Sequence, residues 1–360
     1  MVRVLHAADF HLDSAFRALP EEKARQRRRE SRQLMERMVD YANDHDVQLL
    51  LLAGDLFDSE DIYSQTGREL ATVLSRFAGH AVIAPGNHDS YTPHSPYALL
   101  DWPENVHIFR SEIPERIDFP QYGCTVWGAA FTGAECSVDL SGWQAPEDGN
   151  VHLMVLHADL ASTESGYRPI TPAQIAATGL DYLALGHVHS CSGLLQAGRT
   201  AYAYPGCPEG RGFDELGEKG VLMGTVERGA VQMEFVPLAR RRYQILAVDV
   251  SEGDAEERIR QSLPLGSRED ICRILLTGER ETPLPMERLK LQLADCCYHL
   301  ELRDQTRPRE DIWQREGEDS LRGLFLRNLK EQMAGASEEE RQRLTEAARF
   351  GLAALENREL

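Results

Sequence analysis

Five short apolar runs in the first 190 residues each give way to residue types that bind cations. Val2–Ala8 runs into Asp9-Phe10-His11, Val47–Ala53 into Gly54-Asp55-Leu56-Phe57-Asp58, and Ala81–Ala84 into Gly86-Asn87-His88-Asp89. Val151–Ala158 carries His157 at its end, and Tyr182–Gly186 leads into His187-Val188-His189. Runs this short, alternating with helical stretches at Glu21–Asn43 and Gly67–Phe77, predict an α/β pattern whose strands are buried on both faces; Cys124–Ala130 is a further strand. Open α/β sheets put their ligands beyond the C-terminal ends of their strands, so five strand ends are expected to converge on one rim.

The 360 residues are enough for about two or three domains at roughly 100–200 residues each. From Gly193 to Pro237 the pattern shortens to strand-like pieces broken by glycine, as expected for hairpins closing a second sheet. A boundary falls near Arg240–Arg242, and Tyr243–Val250, Ala255–Ser262, Cys272–Thr277, Met286–Leu293 and His299–Arg303 then suggest a compact β/α unit. Two helices finish the chain. Leu321, Leu324, Phe325, Leu329 and Met333 stripe the first, and Leu344, Ala348, Leu352 and Leu355 the second, which Ser337 and Glu340 open as a capping box. The expected division is 1–240, 241–308 and 309–360.

Composition narrows the setting. Lys and Arg total 39 against 58 for Asp and Glu, and the formal charge of −19 argues against loose, chain-wide adhesion to nucleic acid or anionic lipid. A phosphate-bearing substrate must be held locally. Seven cysteines, with no CxxC pair and with Cys296 and Cys297 adjacent, suit reduced buried thiols, which predicts a cytoplasmic protein. No apolar run approaches the roughly 20 residues of a membrane span, and no signal peptide is visible, so no membrane association is expected.

A single His or Asp after a strand is ordinary turn chemistry. The joint order DxH, GDxxD, GNHD, H, GHxH is another matter, and by it the chain is identified as a member of the calcineurin-like metallophosphoesterases. Phosphodiester hydrolysis profits from two divalent ions about 3.5–4 Å apart, which activate a water and neutralise phosphoryl charge. One carboxylate then has to bridge, and Asp55, on a tight turn beside Gly54, is the expected bridge. Mixed Asp, Asn and His ligation suits Mn²⁺, Fe or Zn²⁺ better than Ca²⁺. The resemblance implies one ion held by Asp9, His11, Asp55 and His189 and a second by Asp55, Asn87, His157 and His187. It leaves His88 as a non-ligand that contacts the phosphate and assists the leaving oxygen, with Asp89 and Asp58 expected to orient histidines. The fold it implies is a two-sheet α/β sandwich flanked by helices, with a smaller α/β capping domain and C-terminal helices.

Within the family, His6–Ser14, Gly54–Ser59, Gly86–Ser90 and Tyr204–Gly220 resemble the SbcD/Mre11 branch of DNA-repair exonucleases, most of all its bacterial YhaO-type members. The likeness covers roughly residues 1–238. Asp58 stands where Mre11 enzymes carry histidine, and Cys207 where serine or asparagine is commoner. The resemblance implies a Mn²⁺-dependent nuclease acting on DNA ends, a capping domain that helps present DNA, and terminal helices that dock on a coiled-coil ATPase of the SbcC/Rad50 type; a homodimer is a further partner. The alternative is that those helices merely pack on their own domain. The motif is shared with nucleotide phosphodiesterases and phosphatases, and a DNA-end-binding scaffold with an idle site is the reading from outside enzymology.

Seven histidines (6, 45, 80, 94, 107, 152, 299) match no motif position, with His6 and His94 expected near the rim. Local basic groups sit at Lys23, Arg25, Arg27, Arg28, Arg29 and Arg32, at Arg211, and at Arg240–Arg242. The first cluster alternates with glutamates and reads as either a solvated helix face or a DNA contact.

Overall fold

The computed structural model describes residues 1–59, 64–160, 165–309 and 312–355. Strands β1 (Val2–Ala7), β2 (Leu49–Leu52), β3 (His80–Ile83), β4 (Val106–Ile108), β5 (Glu115–Phe119), β6 (Cys124–Gly128), β7 (Val151–His157), β8 (Tyr182–Gly186), β9 (Leu195–Ala197), β10 (Thr200–Ala203), β11 (Gly220–Glu227) and β12 (Ala230–Pro237) form two six-stranded sheets. Their orders are β12-β11-β1-β2-β3-β4 and β5-β6-β7-β8-β10-β9. Helices α1 (Glu21–Asp44), α2 (Ser64–Ser75), α3 (Pro96–Leu99) and α4 (Pro172–Thr178) connect them.

The four leucines of β2 show why the sheets stack. Alternate residues of a strand face opposite ways. Leu49 and Leu51 join Val2, Val4 and Val82 in a core shared with Val126, Leu153, Val155 and Ala184 of the second sheet. Leu50 and Leu52 turn outward to pack with Leu34 and Met38 of α1 and Leu70 and Leu74 of α2. On the far side, Met154, Leu156, Leu183 and Leu185 cover Ile175 of α4, whose first turn is closed by a Thr171–Gln174 capping box. The fold is the mixed α/β two-sheet arrangement expected.

Strands β1 to β4 are parallel, as are β6, β7, β8 and β10, so the ends carrying the polar motifs emerge together within each sheet. The glycine-broken segment departs from expectation. Only β9–β10 joins the second sheet, whereas β11 pairs antiparallel with β1, Val2 opposite Val226, and extends the first sheet. Residues between β10 and β11 carry the chain from one sheet to the other. Among the described strands and α-helices of the first 190 residues, four lacked a sequence signal: β4, β5, α3 and α4.

Arg27 is a second departure. It is fully buried, bonded to Glu209 and to Glu30 at 2.8 Å, and Arg241 closes the group with bonds of 2.7 and 2.9 Å to Glu30. A buried cation needs such partners, and this one ties α1 to the segment after β10 instead of facing solvent. Arg25 and Arg28 do reach the surface, both beside Glu21.

The chain divides into two compact units, Met1–Leu246 with Pro264–Arg273 and Ala294–Glu301, and Ala247–Leu263 with Ile274–Leu293 and Leu302–Leu360. Strands β13 (Tyr243–Asp249), β14 (Ile271–Thr277) and β16 (His299–Asp304) form a three-stranded sheet, and β15 (Glu279–Arg280) pairs with β17 (Arg307–Pro308). Helices α5 (Ala255–Ser262) and α6 (Met286–Gln292) lie between these strands in sequence. In the second unit α7 (Leu321–Met333) and α8 (Glu338–Leu355) pack through Phe325, Leu326, Leu329, Ala348 and Leu352, with Ile312 and Trp313 alongside. The Ser337–Glu340 capping box is formed, the Glu340 N–H donating to Ser337 Oγ at 3.3 Å and the Ser337 N–H to Glu340 Oε2 at 2.9 Å. All seven cysteines are free thiols, and six are buried. Among the described residues, no helix is long and apolar enough to cross a membrane.

Candidate metal centre

The turns after β1 and β2 lie side by side. Asp9 N–H donates to Gly54 O at 3.0 Å, His11 N–H to Asp55 O at 2.9 Å and Leu12 N–H to Leu56 O at 2.9 Å. Asp9, His11 and Asp55 take φ values of 57°, 44° and 52°, the left-handed region that non-glycine residues rarely enter, and strain of this kind concentrates at functional sites. Gly86 is forced by proximity, because a Cβ there would stand 2.2 Å from Asp55 Oδ1 and 2.7 Å from Asp55 N.

Asp89 is buried beneath these turns. Its Oδ1 accepts from the N–H of Gly86 (2.8 Å) and Asp55 (3.1 Å), and its Oδ2 from the N–H of Leu56 (2.7 Å) and Phe57 (3.2 Å) and from Tyr97 Oη (2.6 Å). The expectation that it orients a histidine gives way here: its oxygens are occupied by four backbone amides and a phenol, and it shapes the Asp55 turn instead.

Asp55 Oδ2 stands 3.6 Å from His11 Nε2 and 3.4 Å from His157 Nε2. His157 Nδ1 donates to Ala53 O at 2.9 Å, which leaves Nε2 as a lone pair, and that lone pair also meets Asn87 Oδ1 at 2.9 Å. His189 Nε2 is 3.3 Å from His11 Nε2 and 3.8 Å from Asp9 Oδ1. Ligand atoms of Asp9, His11 and His189 fall within 4.8 Å of one another, as do those of Asp9, Asp55 and His157, and those of His11, Asp58 and His88. His187 enters differently: its backbone N–H donates to both Asp9 oxygens at 3.1 and 3.2 Å, and its ring meets the His157 ring edge-on at 5.2 Å.

Electrostatics matches this crowding of lone pairs. Burial lowers His11 and His187 to about 4, so both imidazoles are neutral at pH 7, the form that ligates metal. Burial and the charge of Asp55 push Asp9 well above the ordinary carboxylate range. Burial also works to raise Asp55, but the neighbouring His157, His11 and His88 rings outweigh it and hold the carboxyl low. Oxygen and neutral nitrogen donors packed in a dry rim lack positive charge, and a divalent cation is the group that such a set fits.

His88 lies at the exposed edge, its Nδ1 donating to Asp58 O at 3.1 Å and its backbone N–H donating to Asp55 Oδ1 at 3.0 Å. Asp58 Oδ1 is 3.4 Å from His11 Nδ1 and 3.3 Å from Arg211 Nη1. Burial raises the Asp58 carboxyl, yet His11 and Arg211 bring it below its usual range. His6 is not at the rim: it is buried between the sheets, Nδ1 accepting from Tyr182 Oη at 2.8 Å and Nε2 donating to Leu185 O at 3.1 Å.

Two residues belong to this centre that the sequence did not place there: Glu215 had no role, and Arg211 was read only as a local basic group. Glu215 Oε1 accepts from His189 Nδ1 at 2.8 Å, and Arg211 binds the same carboxylate at 2.7 Å. Burial acts to raise Glu215, but His189 and Arg211 overcome it and hold the acid far down. Both lie in Tyr204–Gly220, the most branch-specific segment, so the signal was present without a motif to assign it.

A convergent rim of Asp, His and Asn donors at the strand ends of a two-sheet sandwich defines a metallophosphoesterase, and the chain belongs to the calcineurin-like phosphoesterase family, whose model matches residues 2–191. Among curated proteins it is similar to the uncharacterized metallophosphoesterase YhaO of Bacillus subtilis, at 33% identity over 264 residues, which cover 69% of this chain and 63% of that protein. It is also similar to the DNA double-strand break repair protein Mre11 of Methanopyrus kandleri, at 27% identity over 357 residues, 91% of this chain and 76% of that protein. The matched region thus spans less than two thirds of YhaO.

Proposed function

We propose that the protein is a metal-dependent DNA nuclease that processes DNA ends in repair, with one ion held by Asp9, His11, Asp55 and His189 and the other by Asp55, Asn87, His157 and His187. The observation that carries this reading is the position of Asp55 Oδ2, 3.6 Å from His11 Nε2 and 3.4 Å from His157 Nε2, within reach of donors from both sets. Similarity along most of the chain to a protein named for double-strand break repair supports DNA as the substrate.

Two divalent ions, Mn²⁺ for this donor set and Fe or Zn²⁺ as alternatives, would supply when bound a water of lowered pKa and charge neutralisation at the phosphoryl oxygens. The chain's own residues do three things. Asp89 and Gly86 hold the turn that presents Asp55. Buried His11 and half-buried His187, both neutral, keep their ring nitrogens available as donors. His88, exposed and fixed through Nδ1 on the Asp58 carbonyl, keeps Nε2 free to meet the phosphate and, in the imidazolium form that carries a proton on both nitrogens, to protonate the leaving oxygen.

The partners in this reading are DNA and a coiled-coil ATPase of the SbcC/Rad50 type, in the cytoplasm. Leu321 and Leu324 on α7 and Phe350 on α8 are exposed and support docking at that end. The test is cleavage of end-labelled single- and double-stranded DNA, with and without Mn²⁺, by wild type and His88→Ala, beside bis-p-nitrophenyl phosphate and nucleotides. Hydrolysis of nucleotides with no DNA cleavage would replace the nuclease reading with a small-molecule phosphodiesterase.

A further inference from the structure

His11 and His189 face each other through Nε2 atoms 3.3 Å apart, and behind each ring stands a carboxylate. Asp58 Oδ1 is 3.4 Å from His11 Nδ1, and Glu215 Oε1 is 2.8 Å from His189 Nδ1. One guanidinium joins the two acids: Arg211 Nη1 is 3.3 Å from Asp58, while Nη2 donates to Glu215 at 2.7 Å. Nη2 also comes within 3.1 Å of His189 Nδ1 itself.

That last contact poses a choice for the imidazole. A guanidinium only donates, so a hydrogen bond from Arg211 to Nδ1 would require a lone pair there and would move the ring proton to Nε2. The ring would then turn an N–H toward His11 and Asp9 and could not ligate. A carboxylate only accepts, so Glu215 at 2.8 Å demands the opposite, the proton on Nδ1 and the lone pair on Nε2. Glu215 is shorter, is charged, and engages Arg211 through Nε, Nη2 and the backbone N–H, the last at 2.7 Å, so the guanidinium is drawn onto the acid and away from the ring.

We propose that Glu215 and Arg211 are positioning residues that lock His189 in the Nδ1–H tautomer, so that Nε2 is always the nitrogen offered to the metal centre. The inference rests on the metal-centre reading above and deepens it. Arg211 makes the lock necessary as well as firm, since Arg211 without Glu215 selects the wrong tautomer. The lock is itself anchored: the segment that bears it is fastened to α1 by the bonds from Arg27 to Glu209 and, at 3.2 Å, to Gly210 O.

The test compares wild type, Glu215→Ala, Arg211→Met and the double variant as full-length metal-free protein. Long-range ¹H–¹⁵N spectra, with His189 identified by the signal lost in His189→Gln, read the tautomer. Manganese titration followed by electron paramagnetic resonance reads affinity and stoichiometry. Wild type and Arg211→Met should hold the proton on Nδ1, and Glu215→Ala should move it to Nε2. Glu215→Ala should weaken one of two Mn²⁺ sites by about 10–100-fold, the usual effect of losing a residue that orients a metal-ligating histidine. Removing Arg211 as well should recover part of that loss, which a purely structural role would not do. An Nδ1–H ring in Glu215→Ala, or a double variant weaker than the single, overturns the proposal. If Glu215→Ala does not fold, an Nε2–H ring in Arg211→Met overturns it too. Wild type that binds no Mn²⁺ overturns the metal-centre reading together with this one, whereas two bound ions with an Nε2–H His189 overturn this one alone.

Discussion

Asp89 holds Asp55 by its backbone: Asp89 Oδ1 accepts the Asp55 N–H at 3.1 Å, while the Asp55 side chain accepts the N–H of His88 at 3.0 Å. The turn after β2 and the turn after β3 therefore fix each other, and the Asp55 carboxylate, the proposed bridge, is placed by two strand ends at once. In Asp89→Asn one of the two acceptor oxygens becomes an amide facing backbone N–H groups and Tyr97. At about 1.5–3 kcal/mol for a hydrogen bond to a charged group, with partial relaxation, the variant should lose about 2–4 kcal/mol of stability in urea unfolding. A loss below about 1 kcal/mol would mean that the turn keeps its shape without Asp89.

The proposed function separates residues that would hold metal from one that would handle substrate. Asp55→Ala and His187→Ala should purify with less than the wild-type metal content and without hydrolytic activity. His88 lies at the exposed edge and should be different: His88→Ala should retain both ions while turnover falls by about 10²–10⁴-fold, the range for a general acid–base group. Metal analysis of the purified variants decides it, and loss of metal from His88→Ala would move His88 among the ligands, beside His11 and Asp58.

Strands buried on both faces announce themselves, which is why Val2–Ala7, Leu49–Leu52 and Tyr182–Gly186 were legible together with the polar residues that end them. Short and edge elements do not. Glu115–Phe119 is five residues long, opens on two charged residues and leaves Arg116 and Asp118 exposed, and Pro172–Thr178 is seven residues long, too short for a helical period to emerge. The sheet that a hairpin joins is a tertiary choice: β9–β10 and β11–β12 are both antiparallel pairs and go to different sheets. Asp89, Glu215 and Arg27 were misjudged or left without a role for one shared reason. A charged residue in sequence gives no sign of whether its partner is water, a backbone amide or a distant ion, and in all three the partner decides the role.

His6 gives the fold a pH dependence. The ring is neutral and satisfied, taking a hydrogen bond from Tyr182 and giving one to Leu185, and burial lowers its pKa from 6.5 to about 3. Between those values the unfolded chain takes up a proton that the folded protein refuses, so the His6 contribution to stability falls as pH drops from 6.5 toward 3. His6→Leu should be less stable at pH 7.5 by about 1–3 kcal/mol, because it strands the Tyr182 hydroxyl and the Leu185 carbonyl. Its stability should nevertheless fall less steeply than that of wild type between pH 6.5 and 4. Parallel urea-unfolding curves for the two proteins across that range would show that His6 does not titrate on unfolding.

The terminal helices should prove separable from the catalytic chemistry. Helices α7 and α8 pack on each other through Phe325, Leu326, Leu329, Ala348 and Leu352, and a hairpin of that size has a small core of its own. Leu321, Leu324, Phe350 and Leu355 stay exposed, and helices this short need an apolar surface to be stable. None of the proposed metal ligands comes from beyond His189, and the residues that position His189, Arg211 and Glu215, lie well before residue 318. Deleting residues 318–360 should therefore leave two Mn²⁺ ions bound and hydrolysis of bis-p-nitrophenyl phosphate within about threefold of wild type, well under the tenfold that 1.4 kcal/mol would produce. The same deletion should abolish association with a coiled-coil ATPase and impair processing of long DNA. Co-purification of the ATPase with the full-length and shortened chains measures this: equal recovery would assign the hairpin to the protein's own packing, and loss of metal on deletion would mean that the centre depends on the C-terminal region after all.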